Sequence, residues 1–209
     1  MTIAIIVHGG AWEMPDAKTA PLERGCVRAA RIGHTVLANG GTAVDAVEAA
    51  IRDLEDDEAF DAGFGSFLNR DGVPEHDAGI MDGSALRSGA VAGVTGVQNP
   101  IVLARLVMES GSDCLVVGAG AEMLAGELGL ERVPPESLAA AASRAYWDAH
   151  RSQDPRSIFT PHPAGTVGAV ALDARGHIAA GTSTGGLPGK HPGRVGDSPL
   201  VGCGFFADS

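Results

Sequence analysis

The 209-residue chain is poor in aromatic rings, in positive charge and in cysteine. Phe, Trp and Tyr make up 4% of it, so bulky rings cannot dominate a core, whereas 30 glycines suit close-packed sheets joined by many turns. Fifteen Lys and Arg stand against 26 Asp and Glu, for a net charge of −11. A surface of that sign neither neutralises phosphates nor seeks an anionic bilayer, which argues against nucleic acid and membrane as partners. Cys26, Cys114 and Cys203 are odd in number and far apart, so they form no disulfide framework and no metal-ligand spacing. They read as reduced thiols of a cytoplasmic protein. The first ten residues lack a basic n-region, and no apolar run approaches a membrane span. What is present is a 44% hydrophobic composition with a mean hydropathy of +0.10, enough for one globular domain with a substantial core.

The most informative stretch is Gly165-Thr166-Val167-Gly168-Ala169-Val170-Ala171-Leu172, followed by a short turn and a second run ending in Gly181-Thr182-Ser183-Thr184-Gly185-Gly186. Two short runs around Asp173-Ala174-Arg175-Gly176 predict a β-hairpin that gathers Thr166, Thr182 and Thr184 at one sheet edge. A threonine hydroxyl is a weak nucleophile without a base beside it. A cut before Thr166 would supply one, the residue's own α-amine, with a reference pKa of about 7.7. Residues 152–165 contain three prolines and no apolar period, and read as a flexible linker where a cut is tolerable. The same Gly-Thr step is equally an ordinary start to a β-branched strand. Gly181 to Gly185 also satisfies G-x-S-x-G. However, the breakers that follow it and the lack of a histidine after Asp197 oppose an α/β-hydrolase elbow.

Elsewhere the pattern predicts a buried first strand over residues 3–7 and a helix over 21–39. A second helix is capped by Thr42, with Asp45 three residues on. The acidic run from Asp53 to Glu58 reads by default as a solvated loop. Further expectations are a hairpin around Arg70-Asp71-Gly72, a strand over 88–95, and a helix opened by Asn99-Pro100. Residues 113–123 read as a strand, a glycine turn and a helix without a complete dinucleotide fingerprint. A last helix is expected over 135–151. Asp77 and Asp82 are metal candidates on chemistry alone, although Asp82-Gly83 is also a plain turn.

His8-Gly9-Gly10-Ala11, Gly40 to Glu48, Phe60-Asp61-Ala62-Gly63-Phe64-Gly65, Asp77 to Gly83, Gly89 to Val94, Gly165-Thr166-Val167-Gly168, Thr182 to Gly186 and Pro192 to Pro199 occur in one order. In that order they resemble the plant-type L-asparaginase/isoaspartyl peptidase family of N-terminal nucleophile (Ntn) hydrolases, over essentially the whole chain. The resemblance implies an α+β fold, the αββα four-layer sandwich of the Ntn-hydrolase type. It implies self-cleavage between Gly165 and Thr166, with 1–165 as the α-subunit region and 166–209 as the start of the β-subunit. The reaction would be hydrolysis of L-asparagine and β-aspartyl dipeptides, with Thr166 as nucleophile and Thr184 orienting it. Arg194 and Asp197 would hold the substrate's α-carboxylate and α-amine, an assignment that suits their chemistry. A structural sodium ion would sit on the main-chain carbonyls of Leu54, Glu55, Asp57, Phe60, Ala62 and Phe64, with no cofactor for catalysis. The intact family forms (αβ)2 dimers.

Two departures stand out. Asp61 lies where the family usually has Asn, near the nucleophile's amine, and its charge would tend to raise that amine's pKa. The family also continues into a Thr-Gly-x-Gly-Glu segment that supplies the oxyanion hole. The expectation is therefore that the C-terminal part of the second subunit is missing here, and that residues 1–209 alone are nearly inactive. A non-catalytic homologue kept as a structural partner is the alternative, and glycosylasparaginase-like activity is a neighbouring one.

Overall fold

The computed structural model describes residues 2–11, 16–151 and 165–209. The linker expected over 152–165 therefore lies, apart from Gly165, outside the described residues. The elements are β1 (Ala4–His8), α1 (Asp16–Ala38), α2 (Ala43–Glu55), β2 (His76–Asp82), β3 (Arg87–Val94), α3 (Pro100–Ser110), β4 (Leu115–Val117), α4 (Gly118–Glu127), α5 (Ala141–His150), β5 (Thr166–Leu172) and β6 (Ile178–Thr184). The strands form one six-stranded mixed sheet in the order β1-β5-β6-β2-β3-β4. Only the β3–β4 pair among them is parallel.

Successive side chains of a strand point to opposite faces, so each strand divides its residues between two environments. On one face Val167, Ala169, Ala171, Ala179, Ala78, Ile80 and Val91 pack into the main core with α1, α2, α3 and α4. α2 shows why its sequence is helical. Thr42 and Asp45 close a reciprocal capping box, and Ala46, Val47, Ala50, Ile51 and Leu54 are all fully buried. Such a cap is worth about 1 kcal/mol, and the apolar stripe contributes several times that. On the other face Met81, Ala90 and Ala180 form a smaller cluster under Phe205 and Ala207 of the last described segment. That face carries no helix of the main core, and it is where the strand ends meet the loops. The architecture is thus α+β, a mixed sheet with helices. A second sheet is not among the described residues.

Several expectations need correction. β1 is an edge strand with alternating exposure, not a buried one, and Ile6 is 74% exposed. Its apolar composition resembles a buried strand because Ile5 and Val7, with Ile3 just before the strand, do pack against the core. α1 begins before Pro21, at Asp16. The hairpin around Arg70-Asp71-Gly72 shrinks to a single Leu68–Pro74 bridge, because β2 pairs instead with β3 and β6. The expected last helix splits into a 3-10 turn (Pro135–Leu138) and α5, since Ala139 and Ala140 are extended and Ala140 N–H bonds to Phe64 O. Asn99 gives α3 no side-chain cap, and its amide donates to Asp56 Oδ1 instead. The acidic run is not a uniformly solvated loop: Asp53 and Asp57 hold Arg28, and Glu55 is fully buried. Among the described residues no helix is long and apolar enough to cross a membrane.

Candidate active site

Strand register assembles the site. Across β5–β6, Thr166 faces Thr184 and Gly168 faces Thr182. Across β1–β5, His8 faces Gly168, and across β2–β6, Asp77 faces Thr184. Alternation places all of these on the face opposite the main core, at the end where β5 begins and β6 finishes. Glycine at position 168 leaves room for the His8 ring, because a Cβ there would lie 2.3 Å from His8 Nε2. Beyond β6 the chain loops back, and a cavity of about 260 Å³ opens between the strand ends and this loop. His8, Gly165, Thr166, Thr184, Arg194, Asp197 and Ser198 are among its lining.

The peptide bond between Gly165 and Thr166 lies within this array. Thr184 Oγ1 donates to Gly165 O at 3.3 Å and accepts from Gly186 N–H at 3.0 Å. Gly165 N–H donates to Asp61 Oδ2 at 3.2 Å, and Phe67 N–H donates to Asp61 Oδ1 at 3.0 Å. The Thr166 hydroxyl lies 2.8 Å from Ser198 Oγ. Burial pushes the Asp61 carboxyl up to about 7, against the two N–H donors and the nearby Lys190 ammonium. Asp61 therefore sits one peptide before the expected nucleophile, with a proton that leaves near neutral pH.

Arg194 and Asp197 reach the same cavity from the loop after β6. The Arg194 guanidinium packs over Gly186 and Gly196. Glu75 braces this loop, because both its carboxylate oxygens accept from Gly193 N–H at 3.1 Å. Lys190, 4% exposed, donates from Nζ to Glu75 O at 2.9 Å. Burial lowers the Lys190 pKa, opposed by Asp77, Glu75 and Asp61 around it. A cation is thus buried beneath the site among three carboxyl groups. His76 Nε2 lies 3.0 Å from Gly63 O, and burial holds its imidazole down to about 4.

Sequence reasoning missed Ser198, His8 and the Lys190–Glu75 brace. His8 and Ser198 carried a signal, since each lies within a motif of the resemblance, but neither was given a role there. Ser183, the serine of the G-x-S-x-G match, is fully buried on the helix-covered face beside Glu55 and does not line the cavity. Residues 113–123 do form a strand and a helix, β4 and α4, with the glycines at the helix start.

The two metal readings separate. Asp77 Oδ1 accepts from Gly93 N–H, and Asp82 Oδ1 accepts from the N–H and hydroxyl of Ser84. No group of three or more His, Cys, Asp or Glu that could hold a metal occurs among the described residues. The loop from Leu54 to Phe64 is a different case, because its donors are backbone oxygens. Leu54 O, Asp57 O and Ala62 O each accept from loop N–H groups, and a carbonyl has a second lone pair to offer. The loop folds tightly upon itself at Gly63, which has φ +53° and where a Cβ would lie 2.4 Å from Glu55 O. Backbone carbonyls are hard oxygen donors, the kind of ligand the expected ion would take. The Glu55 side chain points elsewhere: Oε1 accepts from Ile101 N–H, and burial pushes its carboxyl up to about 8.

Comparison with known proteins now bears on this geometry. A sequence model of the family described as Asparaginase matches residues 1–209. The chain belongs to the asparaginase family. Among curated members, the isoaspartyl peptidase/L-asparaginase of Mus musculus is 45% identical over the whole chain, which covers 65% of that protein. The protein of the same name from Rattus norvegicus is 43% identical, with 63% of its length covered. The Homo sapiens one is 44% identical, with 68% covered. The chain thus spans about two thirds of the length of these asparaginase-family relatives.

Proposed function

We propose that the protein is a self-processing threonine amidohydrolase, acting on L-asparagine and on β-aspartyl dipeptides. One observation carries the reading: the Gly165–Thr166 peptide lies between a donor to its carbonyl, Thr184, and a partner of its hydroxyl, Ser198, in the cavity that Arg194 and Asp197 also line. The names of the relatives support the substrate class.

In maturation, Thr166 Oγ1 attacks the Gly165 carbonyl carbon. The C–O bond forms as the carbonyl electron pair moves onto oxygen, where Thr184 Oγ1–H faces it. The C–N bond then breaks, the nitrogen of Thr166 takes the hydroxyl's proton, and Gly165 is left as an ester on Thr166. Water hydrolyses the ester to the Gly165 carboxylate and restores the hydroxyl. The product is a Thr166 whose α-amine is free to serve as its base. In turnover the same oxygen attacks the side-chain amide of the substrate. Arg194 takes the α-carboxylate with paired donors and Asp197 takes the α-ammonium. Ammonia or an amino acid leaves, and water releases aspartate.

The reading extends to an αββα sandwich, an (αβ)2 dimer, a cytoplasmic location and a structural sodium ion on the Leu54 to Phe64 loop. Incubation followed by intact-mass measurement tests the core of it. Full-length wild-type protein should yield two fragments cut between Gly165 and Thr166, and its Thr166→Ala variant should stay whole. Equal cleavage of the two would remove Thr166 as the agent.

A further inference from the structure

We propose that Ser198 is the positioning residue for the Thr166 hydroxyl, a function separate from that of Thr184; the inference rests on Thr166 being the nucleophile. A threonine hydroxyl has three staggered positions about χ1, and some contact must select one of them. Thr184 does not supply it. Its hydroxyl donates to Gly165 O and accepts from Gly186 N–H, so it serves the carbonyl side of the peptide. The hydroxyl side is served by Ser198 Oγ, 2.8 Å from Thr166 Oγ1.

Both ends of that contact are tied to the same pair of strands. Thr166 is paired with Thr184 in the β5–β6 ladder. Ser198 is 3% exposed, and its carbonyl accepts from Thr182 Oγ1 at 2.7 Å, two residues along β6. The loop that carries Arg194 and Asp197 is therefore fastened to the sheet at Ser198, and the fastening sets the distance between the two hydroxyls. Either hydroxyl can be the donor, and in both directions the contact fixes where Thr166 Oγ1 lies. With Ser198 as donor, the Thr166 proton stays free to pass to the nitrogen and a second lone pair of Thr166 Oγ1 remains for the carbonyl carbon.

Ser198→Ala tests this in the full chain. Loss of one such hydrogen bond should slow self-cleavage about five- to tenfold. Ser198→Cys keeps the shape of the side chain, slightly enlarged, and weakens the hydrogen bond, so its rate should fall between those of Ala and wild type, and it decides the matter should Ala fail to fold. In matured protein, either substitution should lower kcat for L-asparagine and leave KM unchanged, because Arg194 and Asp197 hold the ground state. A raised KM with unchanged kcat would make Ser198 only a brace for the Asp197 loop and overturn the inference. Wild-type rates in both variants would overturn it as well. Failure of the full-length wild type to cleave or turn over would instead overturn the parent reading, and this inference with it.

Discussion

Replacing Asp61 by Asn should make the protein gain relative stability as pH rises. The buried carboxyl keeps its proton to about 7, whereas its ordinary value is 3.8. Between those values the folded state binds more protons than the unfolded one, so stability falls as pH rises through that window. A shift from 3.8 to about 7 corresponds to about 4 kcal/mol at 1.36 kcal/mol per unit. The sign is therefore opposite to that of a salt-bridged aspartate: ionised Asp61 destabilises the fold above neutrality and costs nothing at low pH. The Asp61→Asn variant lacks this titration. It has its own constant cost, because the new amide can accept from Phe67 N–H or Gly165 N–H through one oxygen but not from both at once. One orphaned amide costs about 1–3 kcal/mol at every pH. The pH slope of the difference, not its absolute value, is thus the signal. Urea unfolding of wild type and Asp61→Asn at about pH 4 and about pH 8 measures it, and titrations shared by both proteins, Glu55 among them, cancel in the difference. The gap should move by about 4 kcal/mol in favour of Asn on going to the higher pH. A gap that stays flat would mean that Asp61 titrates normally and that its burial is relieved in solution.

Thr184→Val keeps the shape of the side chain and removes the donor to Gly165 O, so self-cleavage followed by intact mass should slow by about a hundredfold. A loss no larger than that of Ser198→Ala would remove Thr184 from the oxyanion. Arg194→Ala should raise KM for L-asparagine and for β-aspartyl dipeptides alike, since both present an α-carboxylate, and steady-state kinetics with an unchanged KM for both would exclude that contact. Crystals grown in sodium buffer should show an ion ringed by carbonyls of Leu54, Glu55, Asp57, Phe60, Ala62 and Phe64. High-resolution density without a sphere there would refute the loop assignment.

Where local chemistry decides a structure, the sequence was readable. The Thr42–Asp45 capping box, the apolar spacing of α2 and the glycine-bearing turn between β5 and β6 are all short-range features, and all are present in the fold. The pairing of Thr166 with Thr184 follows from that hairpin alone. Residues whose surroundings come from distant segments were not readable. Glu55 looked solvated within its acidic run, yet Ile101, far along the chain, supplies the N–H that it accepts. β1 looked buried because its composition does not reveal that, among the described residues, β5 alone pairs with it. Lys190 and Glu75 are 115 residues apart, and nothing near either of them predicts that a buried cation will meet a loop carbonyl. Ser198 was overlooked because a serine beside an aspartate is ordinary until the strand that receives it is known.

The strand order has a consequence for what a cut would leave behind. β5 and β6, which follow the Gly165–Thr166 peptide, lie between β1 and β2, which precede it. β5 is hydrogen-bonded along five residue pairs to β1 on one side, and β6 along six to β2 on the other. A chain severed there would be two polypeptides woven through a single sheet, with neither able to withdraw until the ladders on both flanks had opened. Denaturing electrophoresis would resolve two bands where a sizing column, run without denaturant, would elute one body. The newly made terminus would stay at the mouth of the cavity, held by its own strand.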